Sequence, residues 1–137
     1  MRSFCIILLT LYTCLLAGQN IGPEDKVFRI YFGGGSYYID ADQLDQLEDF
    51  FNEIDDLREY HIEIHGHTDS IGSMEFNQYL SRMRCEAAFY VIKGMKIDED
   101  LITIHDFGEL SPEYSNETWK GRLSNRRVDV VLKKILL

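Results

Sequence analysis

A chain of 137 residues with 45% hydrophobic content can bury one core and is too short for two ordinary domains. Its formal net charge of −9 excludes the proteins that hold nucleic acid through a basic field, since a phosphate polymer is bound through clustered Lys and Arg. Any anionic partner must be met by a local basic pair.

The first residues have the layout of a secretory signal peptide. Arg2 is followed by an apolar run over residues 4–16, then by the small residues Ala17 and Gly18 and the polar Gln19 and Asn20. The run is shorter than the roughly 18 to 20 residues that a membrane-crossing helix needs. The expected cut falls after Gly18, with Ala17 the next choice, so residues 1–18 form the leader and residues 19–137 the mature domain. Losing Arg2 moves the charge from −9 to −10. Cys5 and Cys14 lie in the leader, and the mature chain keeps only Cys85, which excludes an internal disulfide. Lipidation of Cys14 is disfavoured by Tyr12 and Thr13, which stand where that processing signal has small residues.

Residues 26–32 (KVFRIYF) alternate Val27 or Phe28, Ile30 and Phe32 with polar neighbours and predict a strand that ends at Gly33, Gly34 and Gly35. Asp40 and Gln43 have the form of a capping box. Leu44, Leu47, Phe51 and Ile54 then recur at helical spacing. A second strand over residues 60–66 places Tyr60, Ile62 and Ile64 opposite His61, Glu63 and His65, which predicts a sheet covered by helices on one face and wet on the other. A second helix is predicted from Ser73–Glu75 to Lys93, with Gly94 as its C-terminal cap. Ile102 and Ile104 mark a third strand. A long loop carrying Pro112, Asn116 and Gly121 leads to a fourth at Val128, Val130 and Leu132. The order β-α-β-α-β-β implies an α+β two-layer sandwich, a mixed four-stranded sheet with helices on one face.

The chemistry is concentrated in two segments. One sets Gly66, His67, Thr68, Asp69 and Gly72 before a helix carrying Asn77, Leu80, Ser81 and Arg84; the other, residues 121–132, reads GRLSNRRVDVVL. Asn77, Ser81 and Arg84 share one helix face. With Gly94, Gly108, Glu109, Pro112, Gly121, Arg122, Asn125, Arg126, Arg127 and Val128, this pattern resembles the OmpA-like C-terminal domain, the peptidoglycan-binding module of Gram-negative envelopes. The resemblance covers the mature chain and implies the same α+β architecture. It also implies that Asp69 and Arg84 hold the two ends of a diaminopimelate residue in the peptidoglycan stem peptide. Asn77 and Arg126 would assist, and Thr68 and Leu80 would complete the ligand-binding set.

The residue types suit that ligand. A free zwitterionic centre asks for a carboxylate to meet the ammonium and a guanidinium to meet the carboxylate, with Arg favoured for its two-pronged fork. A helix starting near Ser73 puts Arg84 about 16 Å along its axis, so the loop from Asp69 must fold back, and Gly72 permits the reversal. Arg126 and Arg127 point to opposite faces of a strand; the resemblance assigns Arg126 to the ligand, and Arg127 is expected to be a structural or surface partner of acids. Phe32 is expected in the core.

The expected protein is non-enzymatic and periplasmic, needs no cofactor, and has the cell wall as its partner, with outer membrane proteins as further partners. The rival is an envelope subunit that uses the fold for protein contacts alone. His61, Glu63 and His65 alternate onto one strand face, with His67 and His105 near; a wet polar face is the plainer account, and no residue is assigned to a metal. Hydrolysis through His67 and Asp69 lacks a nucleophile. Cys85 is expected to be small, buried and inert. Asp106 departs from the pattern, which has a glycine at that position.

Overall fold

The computed structural model describes residues 21–135, and the leader expected at residues 1–18 lies outside the described residues. The elements are β1 (Lys26–Tyr31), α1 (Ala41–Asn52), β2 (Tyr60–Gly66), α2 (Met74–Gly94), β3 (Ile102–Asp106), α3 (Trp119–Asn125) and β4 (Arg127–Lys134). They build a mixed sheet of order β1-β4-β2-β3, in which β4 runs antiparallel to both neighbours and β2 and β3 are parallel. A parallel pair requires a crossover connection, and α2 supplies it.

Capping fixes where the helices start. The Asp40 carboxylate accepts the Gln43 N–H at 2.9 Å, and Gln43 Nε2 donates back to it at 2.8 Å. The same Gln43 amide bonds both backbone groups of Tyr31, at 2.7 and 3.0 Å, and so fastens the head of α1 to the end of β1. Ser73 caps α2 by accepting the Phe76 N–H. From these starts, Leu47 and Phe51 of α1 and Cys85, Ala88 and Ile92 of α2 pack onto Ile30, Ile62, Ile64, Val128, Val130 and Leu132 of the sheet. At Gly66 the helix comes closest: a Cβ there would lie 2.5 Å from both the Ser81 carbonyl oxygen and Cys85 Sγ. Only a glycine at the end of β2 lets α2 pass this near. Among the described residues no helix is long and apolar enough to cross a membrane.

Three expectations need correction. The long loop before β4 contains the seven-residue helix α3, capped by Thr118 on the Gly121 N–H; it is too short to show an apolar stripe. Gly94 is the last residue of α2 and not its cap, and the left-handed residue that turns the chain is Lys96, at φ 64°. The backbone N–H groups of Met95 and Lys96 close on the Ile92 and Lys93 carbonyls before that reversal. Third, the sheet face away from α1 and α2 is not simply wet: Arg127, Asp129, Val131 and His65 are buried there. The segment between β3 and α3 folds across part of it, with Glu113 bonding Arg29 and Arg127 and Asn125 holding Tyr114 through both of its backbone groups.

Candidate ligand-binding cleft

Where the β1–α1 loop, the β2–α2 loop, the first turns of α2 and the start of β4 meet, they enclose a cleft of about 200 Å³. Thr68, Asp69, Asn77, Leu80, Arg84 and Arg126, the six residues singled out from the sequence, all line it. Gly34, Gly35, Ile71, Gly72 and Phe76 complete the wall. The reversal expected at Gly72 is made there, at φ +104°, a conformation that L side chains rarely adopt.

The polar groups of the cleft are of three kinds. Asp69 is held by its own loop and by β4: Oδ1 accepts the Ile71 N–H at 3.0 Å, and Oδ2 accepts from Arg126 Nε at 2.6 Å. Arg126 lies over the Trp119 ring at 5.3 Å and against Gly34. Its Nε carries the bond to Asp69, so its two outer nitrogens keep their donors for another acceptor.

Arg84 is bound differently. It is 1% exposed and donates from Nε to the Ser36 carbonyl, from Nη1 to that of His67 and from Nη2 to that of Gly33, at 2.8, 2.9 and 3.0 Å. Phe32 lies beneath it, 5.0 Å from ring centre to guanidinium. The arginine thus ties the β1–α1 loop to the β2–α2 loop, and two of its five N–H donors are left over. Burial is the main cause that lowers its pKa to about 10; the Asp69 carboxylate opposes the shift and the Arg126 charge adds to it. It stays charged at neutral pH. No bond joins Asp69 to Arg84, since the carboxylate is taken by Arg126.

The third kind is unsatisfied. Thr68 Oγ1 and Asn77 Oδ1 are buried in the cleft wall without a hydrogen-bond partner. Asn77 is oriented by its amide nitrogen, which donates to Glu109 at 2.5 Å. Ser81, on the same helix face, is fully engaged: its hydroxyl bonds the Gln78 carbonyl and accepts the Gly108 N–H. It holds the loop after β3 and does not face the ligand set. Phe32 under Arg84 and Trp119 beside Arg126 were not assigned by sequence reasoning; Phe32 read as core, and Trp119 sits on the helix that the periodicity did not reveal.

The other candidates are placed elsewhere. His67 does not face Asp69; its ring stacks on Phe107 and its Nε2 lies 3.9 Å from Asp129. Burial, seconded by the Arg127 charge and opposed by Asp129, pulls its pKa down to about 4. No acid–base pair with Asp69 is assembled. Arg127 is 1% exposed and bonds Asp129 and Glu113, so of its two expected roles the structure shows the buried one and not the surface one. Cys85 is fully buried, and desolvation pushes its thiol up to about 12. Asp106 ends β3 and bonds Arg82, and its carbonyl accepts from Gln78.

Comparison with known proteins matches residues 31–126 to the OmpA family. A segment of the photosystem I P700 chlorophyll a apoprotein A2 of Gloeobacter violaceus is 35% identical over 119 residues, 81% of this chain and 13% of that protein. The peptidoglycan-binding protein ArfA of Mycobacterium bovis is 33% identical over 106 residues, 75% of this chain and 32% of that one. The crystal structure of the peptidoglycan-associated lipoprotein from Burkholderia pseudomallei shares the fold, with a TM-score of 0.66 at 24% identity over 77% of this chain and 89% of that one. The chain spans 13%, 21% and 34% of the length of three of the curated relatives it matches.

Proposed function

The chain belongs to the OmpA family, and from that premise we propose that it binds peptidoglycan without catalysing a reaction, taking the diaminopimelate residue of the stem peptide into the cleft around Asp69. Two relatives whose names carry peptidoglycan, ArfA and the peptidoglycan-associated lipoprotein, support the polymer as partner. The observation that carries the reading is the pair of buried, unpartnered atoms Thr68 Oγ1 and Asn77 Oδ1 beside a carboxylate and a guanidinium. A buried polar group without a partner costs about 1 to 3 kcal/mol. A ligand with an ammonium and a carboxylate on one carbon answers each of these groups.

In this reading the ammonium meets Asp69, with Asn77 Oδ1 as a second acceptor. The ligand carboxylate takes the outer nitrogens of Arg126 and the remaining N–H donors of Arg84, and the Thr68 hydroxyl donates to it. Leu80 packs against the aliphatic stem. Arg84 serves twice, as the tie between two loops and as part of the carboxylate seat. The Asp69–Arg126 pair must open or widen as the zwitterion enters, so the ligand replaces a neutralised pair by two new ones. Each new charge-assisted bond contributes about 1.5 to 3 kcal/mol.

The same reading has residues 1–18 removed on export and residues 19–137 working at the cell wall in the periplasm of a Gram-negative bacterium, beside outer membrane proteins. The test is sedimentation of residues 19–137 with insoluble peptidoglycan of the diaminopimelate type and, in parallel, of the lysine type. Binding to the first alone, lost in Asp69→Ala and Asn77→Ala with folds intact by circular dichroism, bears the reading out. A native domain left in the supernatant, or variants that pellet equally, would move the protein to the envelope subunit that uses this fold for protein contacts.

A further inference from the structure

We propose that Glu63, His65 and His105 form a binding site for a divalent transition ion of zinc's class, on the sheet face turned away from α1 and α2. The backbone register brings them together. In the parallel pair of β2 and β3, His65 stands opposite His105 and Glu63 stands opposite Thr103; residues two apart on a strand share a face. The three side chains therefore project from neighbouring rungs of one ladder, on elements held by the sheet and not by a loop.

The geometry fits one ion. One ligand atom from each residue lies within 4.8 Å of the other two. An ion with bonds of about 2.0 to 2.2 Å draws such a set together by side-chain rotation alone. Glu63 Oε2 and His65 Nε2 already lie 2.9 Å apart. Two imidazoles and a carboxylate are a donor set that zinc accepts with a fourth position left to water. His65 is buried, Glu63 half-buried and His105 exposed, so the open position faces solvent.

The His65 ring is already turned with Nε2 toward the second ligand. Its Nδ1 is buried without a hydrogen bond while Nε2 faces the Glu63 carboxylate. That carboxylate only accepts when ionised, so Nε2 carries the proton and Nδ1 is left as a buried lone pair. A metal ion takes the place of this proton between Nε2 and Glu63 Oε2, and the neutral ring then carries its proton on Nδ1. Phe107 walls the site, edge-on to His65 at 5.5 Å and stacked on His105 at 6.1 Å. His61 is outside it, since its Nε2 bonds Thr103 Oγ1 at 2.8 Å. The ion would pin the edge strand β3, whose middle residues are exposed, to β2.

The test uses the protein without an affinity tag, freed of metal by a chelator and titrated with zinc chloride by calorimetry and by thermal melting. One ion should bind per chain, and the melting midpoint should rise by at least about 5 °C at a hundredfold excess over Kd. His105→Ala, at an exposed position, and Glu63→Gln should each weaken binding at least about tenfold. His61→Ala should bind as the native protein does. Pelleting with peptidoglycan should be the same in all of them, which separates this site from the cleft. No heat and no shift with the native protein, or native affinity in both His105→Ala and Glu63→Gln, would overturn the proposal.

Discussion

Asp69 and Arg126, 57 positions apart in the chain, are joined by a 2.6 Å bond between Oδ2 and Nε, with both side chains 9% exposed. The pair closes the β2–α2 loop against the start of β4 and neutralises its own two charges, leaving the Arg84 guanidinium as the third charge of the cleft. Removing one partner strands a charge in a place water hardly reaches, which costs about 3 kcal/mol or more. Asp69→Ala and Arg126→Ala should each destabilise the domain to this degree. The double variant should recover part of the loss, with a coupling of about 1 to 3 kcal/mol. Urea unfolding of the four proteins measures it, and additive losses would mean the bond is not a stabilising contact.

Arg84→Lys tests the second cation. A lysine ammonium has three donors on a flexible stem and lacks the planar fork that reaches the carbonyls of Gly33, Ser36 and His67 together. The expected loss is about 2 to 4 kcal/mol, since hydrogen bonds to a charged group contribute about 1.5 to 3 kcal/mol each. Binding to peptidoglycan should fall with it, because the two loops lose their tie. A lysine variant of native stability would show that the loops hold their shape without this residue.

Gly66→Ala addresses packing. Its added methyl would stand 2.5 Å from the Ser81 carbonyl oxygen and from Cys85 Sγ. Overpacking of this kind costs about 1 to 3 kcal/mol. Pairing it with Cys85→Ala should restore only part of the loss, because the carbonyl belongs to the α2 backbone and cannot be trimmed. Thermal melts of the single and double variants decide the matter; full recovery in the double variant would place the whole clash on the sulfur.

Cys85 should be silent to thiol reagents in the native protein. Burial raises its thiol to about 12, seconded by the Asp106 and Glu86 charges, and the thiolate is the reactive form. At pH 8 an aromatic disulfide reagent should react only as fast as the domain unfolds, and at once in denaturant. Rapid labelling of the folded protein would contradict the burial.

The elements with a clear period or cap were legible from the chain. Tyr60, Ile62 and Ile64 alternate because one face of β2 is fully covered, and Asp40 with Gln43 marks the start of α1 because a helix leaves its first N–H groups unpaired. The cleft residues were legible as a motif, and all six line one cleft. Less visible were α3, with seven residues and no stripe, and the turn after α2, where Lys96 takes the left-handed conformation that Gly94 was expected to supply. The buried outer face was hidden for a different reason. Asp129 and Arg127 look like solvent residues on an alternating strand, but β4 lies between two strands and the loop carrying Glu113 reaches over it.

The sequence by itself determined the strands and helices that carry the core, which are written in local spacing, while the residues that meet in the cleft were marked by its resemblance to the OmpA-like domain. Tertiary structure alone decided how those residues divide their work. Arg84 is bound to three carbonyls from two loops, and Asp69 to an arginine 57 positions away. Partners so far apart in the chain are chosen by the packing of sheet and helix, and no local pattern encodes them.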